Sequence, residues 1–365
     1  MRVLIAGGGT AGHVNPALAL ARALEGDEVV FVGTDSGVES KLVPAAGFTL
    51  ETIEVRGFDR ARPMSLPSTG WIAMKAFGRA RSLLKRVRPD VVVGMGGYVS
   101  LPVCVAAASI RIPVVLHEQN IVLGLANKVC KPLARRVGVS FEGTLEAVGA
   151  KGVLVGNPVS PEIAQADMTA ERERGLTRFG LDPDRKTLLV FGGSLGARRI
   201  NEAALGLAEI WRDRSDRQVV HILGRGAYTQ LSDVDRAKLD AGSLIYKTED
   251  FVDRMVEAYA VADLALCRGG ATTLAEIAIF GLPAIVVPYP HHRDQQQLKH
   301  GRVFEEAGAA VVLPDAETTA ESVAELADRL LGNDVSLKKM SDGARHLARP
   351  GAARDLAGVV HEVAA

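Results

Sequence analysis

Three short glycine-rich turns hold most of the chemistry legible in this chain. Gly7-Gly8-Gly9-Thr10-Ala11-Gly12, Gly192-Gly193-Ser194-Leu195-Gly196-Ala197 and Arg268-Gly269-Gly270-Ala271-Thr272-Thr273 each follow an apolar run and precede a segment of helical periodicity. A turn of this kind aims backbone N–H groups and the positive end of a helix dipole at one spot, which suits an anion such as phosphate. Their spread over both halves of the chain points to two α/β domains facing one phosphate-bearing ligand across a cleft.

The first turn fits the dinucleotide fingerprint through Gly7, Gly9 and Gly12, and Asp35 ends the next strand where a ribose-binding acid belongs. That pattern alone favours a nicotinamide oxidoreductase. Two features oppose it. His13 follows the last glycine directly, and Asn15-Pro16 then offers an N-cap with proline at the first helical position, which holds the imidazole at the cleft edge of the turn. The alternative is that His13 merely caps or packs.

The second-half turns form the stronger nucleotide site. Ser194 lies at a strand-to-helix junction, where its hydroxyl and neighbouring N–H groups can bind a diphosphate without a metal. Thr272 and Thr273 fall in the first turn of the next helix, and Glu276 comes three residues after Thr273. A carboxylate there can accept two hydrogen bonds from vicinal ribose hydroxyls, unless it is a capping or solvated glutamate. Arg268 can neutralise phosphate or lie on the surface. A third cluster, His117-Glu118-Gln119-Asn120, follows an apolar run at the carboxyl end where open sheets bind ligands, with Asn127 one to two helical turns on. Four adjacent hydrogen-bonding side chains suit a polyhydroxylated acceptor; a network tying loops together looks similar. Tyr98, after Gly96-Gly97, is balanced between a structural and a functional role. No Asp-x-Asp or His-x-x-x-His pair makes a metal site, and no cofactor is expected.

The elements that must position these residues alternate short apolar runs with helix-length segments, the pattern of parallel sheets covered on both faces. Expected strands in the first half are Arg2–Ala6, Glu28–Val32, Thr49–Glu54, Asp90–Gly94, Pro113–Leu116 and Arg136–Val139. In the second half they are Thr187–Phe191, Gln218–Leu223, Ser243–Tyr246, Asp263–Cys267, Ala284–Val287 and Ala310–Leu313. The change-over falls near Gly156-Asn157-Pro158-Val159-Ser160-Pro161. The expected division is 1–157, 158–340 and a C-terminal helix over 341–365 that can pack back on the first domain.

The bulk numbers agree. At 365 residues, two domains are the natural expectation. Lys plus Arg balances Asp plus Glu at 43 each, so no global field draws the protein to nucleic acid. Cys104, Cys130 and Cys267 are odd in number and sit in apolar runs, as reduced core residues of a cytoplasmic protein do. The N-terminus runs straight into a strand without a signal peptide, and no run reaches the ~18 apolar residues of a spanning helix.

Taken in order and spacing, these motifs resemble a known family nearly end to end. The matching residues are Gly8 to His13, Gly96-Gly97-Tyr98, His117 to Asn120 with Gly124 and Asn127, Gly156-Asn157-Pro158, Gly192 to Ala197, Arg268 to Glu276, and Asp294 with Gln296-Gln297. The chain is similar to the bacterial UDP-N-acetylglucosamine–N-acetylmuramyl-(pentapeptide) pyrophosphoryl-undecaprenol N-acetylglucosamine transferases, which complete lipid II on the cytoplasmic face of the membrane. The resemblance implies a GT-B fold of two doubly wound parallel-sheet domains, an acceptor-binding first domain and a UDP-sugar-binding second one. It implies inverting, metal-independent transfer onto an undecaprenyl-diphosphate-linked muramyl peptide by a peripheral membrane protein. By the same resemblance, substrate contacts fall on Thr10, Ala11, Gly12, Asn120, Asn127, Ser160, Ser194, Val252, Arg268, Ala271, Thr272, Thr273, Leu274, Ala275, Glu276, Gln296 and Gln297. His13 is the first choice for the base and Glu118 the second.

Two positions depart from the family pattern. Ala11 replaces a usual glycine, so the turn must use a conformation alanine accepts. Ser160 stands where an arginine is usual, and the repeated glutamines at 295–297 leave the register of the sugar contact open. Membrane contact is suggested by Arg56–Arg88, where nine Lys or Arg residues face the single acid Asp59 and Trp71, Ile72, Met74, Phe77, Leu83 and Leu84 are interleaved. This reads as an interfacial segment drawn to anionic lipid, with a nucleic-acid patch or an ordinary surface helix as alternatives. A transferase for another lipid acceptor such as diacylglycerol, a nicotinamide oxidoreductase and a non-catalytic binding protein remain the competing functions. The oxidoreductase leaves the second-half turns and Glu276 unused, and the binding protein leaves His13 unused.

Overall fold

The computed structural model describes residues 1–55, 66–193, 196–226, 229, 231, 239, 242–291 and 294–365, with residues 66–73 as backbone only. They form two compact units, Met1–Pro161 with Arg349–Ala365 and Glu162–Ala348.

The first unit holds a seven-stranded parallel sheet in the order β3-β2-β1-β4-β5-β6-β7. Its strands are β1 Arg2–Ala6, β2 Glu28–Gly33, β3 Thr49–Thr52, β4 Val91–Gly94, β5 Val114–Glu118, β6 Arg136–Val139 and β7 Gly152–Leu154. Side chains alternate between two cores, so the central strands are apolar throughout. Leu4, Ala6, Val92 and Leu116 enter one core, and Val3, Ile5, Val91, Val93 and Val115 the other. The second core includes Leu356, Ala357, Val359 and Val360 from the last helix, Ala352–Ala364. The second unit holds a six-stranded parallel sheet, β10-β9-β8-β11-β12-β13. These strands are β8 Lys186–Phe191, β9 Arg217–Ile222, β10 Ile245–Glu249, β11 Leu264–Cys267, β12 Ala284–Val286 and β13 Ala310–Val312.

All the expected strands are present, Arg2–Ala6 and Arg136–Val139 with the expected bounds and the others with shifted ends. The strand β7 was not anticipated: three half-buried residues at a sheet edge leave no run of apolar positions to read. The strand β5 runs to Glu118, so His117 and Glu118 lie inside the ladder rather than beyond it.

The first turn also corrects an expectation. The helix after β1 starts at Ala11 with Thr10 as N-cap, and Pro16 lies inside it, so Asn15-Pro16 is not its beginning. The Thr10 backbone is extended and already turns the chain, and Pro16 falls where only one early intrahelical bond is lost. Ala11 is the first helical residue, while the positive φ of the turn is carried by Gly9 at 91°. Alanine is therefore accommodated at this position.

The basic segment needs correction too. Residues 56–65 and the Trp71 and Ile72 side chains lie outside the described residues. In the helix Leu66–Val87, Leu83 and Leu84 are buried in the core and Phe77 packs against it, while Met74 is 64% exposed. Arg79 and Arg86 pair with Glu54 and Glu51. The distal half of this helix is thus a covering helix of the sheet, with its apolar face turned inward. All three cysteines are free and buried.

In the second unit the helix Met168–Phe179 packs closely on Met255–Val261 through Gly175, where an added Cβ would stand 2.5 Å from the Glu257 carbonyl oxygen. Gly175→Ala is expected to destabilise the protein by about 1–3 kcal/mol through overpacking, read from urea unfolding. An unchanged midpoint would show that the helix pair yields without cost.

Candidate active site

In each sheet the order of strands reverses once, between β1 and β4 and between β8 and β11. At such a point neighbouring connections leave on opposite faces and a crevice opens at the carboxyl ends of the strands. The first crevice receives the turn after β1 and the Gly96-Gly97-Tyr98 turn after β4; the second receives the turns after β8 and β11.

In the first unit, glycines bring the two turns into backbone contact. A Cβ on Gly97, at φ 79°, would lie 2.5 Å from the Gly8 carbonyl oxygen, and one on Gly9 would lie 2.9 Å from the Tyr98 ring. His13 sits on this bed, with its ring edge 3.0–3.2 Å from where a Gly96 side chain would begin. The Thr10 hydroxyl lies 3.0 Å from His13 Nδ1, and this N-cap side chain makes no bond to the helix backbone. Burial pushes the imidazole below its ordinary pKa while the charge of Glu39 acts in the opposite direction. Gln119 approaches Gly96 from β5: its Nε2 donates to Met95 O, and its buried Oε1 has no partner among the described residues.

Glu39, which sequence reasoning missed, lies fully buried beneath the first turn. Its Oε2 accepts the Gly9 N–H at 2.9 Å, and its Oε1 accepts the Thr34 N–H and hydroxyl at 3.0 and 2.9 Å. Burial opposes its charge, but these bonds together hold the carboxyl below its ordinary pKa. The only available signal was the run of small residues around it, Gly33-Thr34 and Gly37.

The structure brings Glu118, Asn120 and Asn127 together. The carboxylate accepts from Asn120 N and Nδ2, Gly124 N and Asn127 Nδ2, all within 2.8–3.1 Å. Burial pushes the carboxyl up and these bonds pull it down, with burial the larger effect. His117 donates from Nε2 to Gly156 O at 2.9 Å, and burial pushes its pKa down to about 4, so it is neutral. Ser160 directly precedes the short helix Pro161–Ala164.

In the second unit a cavity of about 800 Å³ opens at the crevice between β8 and β11. Gly192, Gly193 and Gly196 line it from one turn, Arg268, Gly270 and Thr273 from the other, and Tyr289, His291, Gln297 and Asp315 close it. Ser194 lies outside the described residues. The helix Arg198–Ile210 begins here with no side-chain cap among the described residues, and its first N–H groups have no partner within the helix. Arg198 and Arg199 add positive charge to the lining and follow Gly196-Ala197 directly, a signal the sequence offered.

The expected donor residues separate here. Ala271 starts the helix Ala271–Phe280, Thr273 reaches the cavity, and Leu274 is buried with its N–H bonded to Gly270 O. Ala275 is half-buried, as is Thr272, and Val252 is buried beyond the end of β10. Glu276 lies one turn past Thr273 and accepts the Tyr259 hydroxyl at 2.7 Å. Arg268 is already engaged, donating to Val287 O, Pro288 O and Asp315. Gln297 lines the cavity with its Oε1 accepting the Tyr289 N–H, whereas Gln296 bonds to Asp294. The register left open by the repeated glutamines therefore puts Gln297 at the cavity. Behind the first wall, Tyr246 donates to His221 Nδ1, His221 Nε2 donates to Asn201, and Asn201 donates to Leu223 O, against which Gly196 packs. Burial pushes His221 down to about 3, so this chain of bonds stays neutral.

Residues 3–139 match the profile of the glycosyltransferase family 28 N-terminal domain, and residues 187–356 that of the glycosyltransferase family 28 C-terminal domain. The chain belongs to glycosyltransferase family 28. A relative from Halothermothrix orenii is 39% identical across 100% of this chain and 99% of its own length. One from Bacillus subtilis is 34% identical over 100% and 99%, and one from Nocardioides sp. 41% over 100% and 98%. Each is named UDP-N-acetylglucosamine–N-acetylmuramyl-(pentapeptide) pyrophosphoryl-undecaprenol N-acetylglucosamine transferase. Among solved structures, Acinetobacter baumannii MurG is similar with a TM-score of 0.79 and 28% identity over 99% of both chains. A UDP-GlcNAc 2-epimerase from Neisseria meningitidis shares the fold, with a TM-score of 0.68 at 14% identity.

The expected ribose contact of Glu276 can be tested by its pH dependence. Burial pushes its carboxyl up to about 7, against the pull of the Tyr259 hydroxyl. A neutral acid accepts ribose hydroxyls less well than a carboxylate, so UDP affinity is expected to rise with pH through about 7. Calorimetry on wild type and Glu276→Gln separates this from titration of the ligand's own phosphate. Identical pH slopes in the two proteins would remove Glu276 from the ribose contact.

Proposed function

We propose that the protein transfers N-acetylglucosamine from UDP-N-acetylglucosamine to lipid I, the undecaprenyl-diphosphate-linked N-acetylmuramyl pentapeptide, giving lipid II for peptidoglycan synthesis. The observation that carries this reading is the end-to-end match, at 34% and 41% identity, to relatives bearing that transferase's name. The second-unit cavity supports it chemically, because a helix N-terminus, Arg198, Arg199 and Arg268 line a space that suits a nucleoside diphosphate sugar, with Glu202 and Asp315 beside them.

In this reading the acceptor's sugar hydroxyl attacks the donor's anomeric carbon. The new C–O bond forms as the bond to the diphosphate breaks, UDP leaves with the electron pair, and the configuration inverts. The hydroxyl proton passes to His13, whose Nδ1 is engaged by Thr10 so that Nε2 can accept it. Glu118 is a poorer base, since four hydrogen bonds already saturate its carboxylate. It orders the 120–124 loop and Asn127 instead. Charge on the leaving diphosphate is met by N–H groups and Arg268, which Asp315 and two carbonyls hold in place, so turnover is expected to persist in a chelator.

His13→Ala is expected to lower turnover by about 10²–10⁴-fold while leaving UDP affinity nearly unchanged. Near-normal turnover at saturating substrates would exclude His13 as the base.

The protein docks peripherally on an anionic membrane surface through the basic segment 56–88, where its lipid-linked acceptor resides. Among the described residues no helix is long and apolar enough to cross a membrane. Exposed Met74, Leu125, Val129 and Leu133 in the first unit support an interfacial contact. Binding to anionic vesicles is expected to weaken as salt rises, because exposed charges are screened over about 8–10 Å. Trp71→Ser with Met74→Ser should weaken it further, leaving turnover of a water-soluble acceptor intact. Salt-insensitive binding to neutral and anionic vesicles alike would count against the docking segment.

A further inference from the structure

The first glycine-rich turn has the form of a phosphate cradle, yet its anion site is filled from within. The Gly9 N–H, which such a turn would offer to a ligand oxygen, donates to Glu39 Oε2. The carboxylate is held there by steric necessity as well as by hydrogen bonds. A Cβ on Gly8 would lie 2.4 Å from Glu39 Oε1, one on Gly33 2.4 Å from its Cγ, and one on Gly37 2.2 Å from its Oε2. Three glycines therefore make room for this one side chain. The Thr34 N–H and hydroxyl saturate the other oxygen, and Tyr98 completes the set through a 3.3 Å contact between its hydroxyl and that of Thr34.

We propose that Glu39 is a positioning residue: an internal anion that occupies the first turn, fixes Gly9 and the His13 helix start, and directs ligand phosphate to other groups. This rests on the reading of His13 as the proton acceptor. A buried negative charge beneath the turn repels an incoming diphosphate, so the acceptor's diphosphate is bound outside the Gly7–Gly9 turn. The same charge favours the imidazolium that forms when His13 takes a proton. It offsets the burial that would otherwise leave the ring a weaker base. Glu39 is the titratable group whose charge acts on His13; Tyr98, facing the same turn, is bonded to Thr34. A nicotinamide cofactor is disfavoured on the same ground, since its diphosphate would meet this carboxylate.

The test uses the full-length protein and reads His13 directly. In Glu39→Gln the His13 imidazole, followed by NMR, is expected to titrate at lower pH than in wild type, because a negative charge has been removed. The acid limb of the kcat/KM profile should move the same way, with UDP affinity unchanged. An unmoved His13 titration in a folded Glu39→Gln protein would overturn the proposal. Should that variant not fold, the wild type decides: the Gly9 amide resonance should not move on titration with inorganic pyrophosphate. A saturable shift at Gly9 would show the turn to be an anion site and sink the idea. Failure of the His13 base reading is separately visible, as retained turnover in His13→Ala with both NMR results intact.

Discussion

A parallel sheet that grows first to one side and then to the other leaves a gap above the strands where growth reverses. Here that happens between β1 and β4 and again between β8 and β11. Everything chemically interesting is a consequence of how the backbone crosses these gaps. The crossing segments must approach each other more closely than side chains allow, so glycine carries the contacts. Gly97 meets the Gly8 carbonyl, and Gly196 meets that of Leu223 at 2.1 Å from where its Cβ would be. Glycine at such positions costs conformational entropy in the unfolded chain, and burial of the flanking apolar strands offsets it.

The two crevices solve the problem of charge differently. In the second unit the turn and the helix start line an open cavity, where Arg198, Arg199 and Arg268 outnumber Glu202 and Asp315. In the first, a carboxylate has been folded into the equivalent place and the helix start presents an imidazole. Three glutamates show how far local bonding sets the state of one chemical group. Glu39 is held ionised by its hydrogen bonds, Glu118 is drawn upward despite four donors among the described residues, and Glu276, which accepts from Tyr259, rises to about 7. The number of donors alone does not rank them; the depth of burial enters with opposite sign.

Much of this architecture could be read from the chain. Central strands are apolar on both faces, and β1, β4 and β8 end in or beside glycine, so their existence was plain, and the motif clusters fell at their carboxyl ends as open-sheet geometry requires. What escaped had no local signature. The edge strand β7 offers only Gly152-Val153-Leu154, and its existence depends on β6 beside it. Pro16 looked like a helix start because proline is preferred there, but Thr10 won through an extended backbone that no composition rule announces. Leu83 and Leu84 read as a lipid face and turned out to be core, since an amphipathic pattern does not say which partner its apolar side meets. Glu39 resembled any surface glutamate at a helix start. Only the three-dimensional convergence of Gly8, Gly33 and Gly37 reveals its burial.

The last helix has a consequence for how the molecule comes into being. Arg349–Ala365 belongs to the first unit, and Leu356, Val359 and Val360 fill a core otherwise built from the first 160 or so residues. Its approach is permitted by Gly156, at φ 90°, where a side chain would collide with Arg349 and Ala352. During synthesis the first sheet must therefore wait, with part of one apolar face uncovered, while the whole second unit emerges and closes on itself. The unit translated second is the one that can finish first. The helix that follows the second unit in the chain then completes the core of the first.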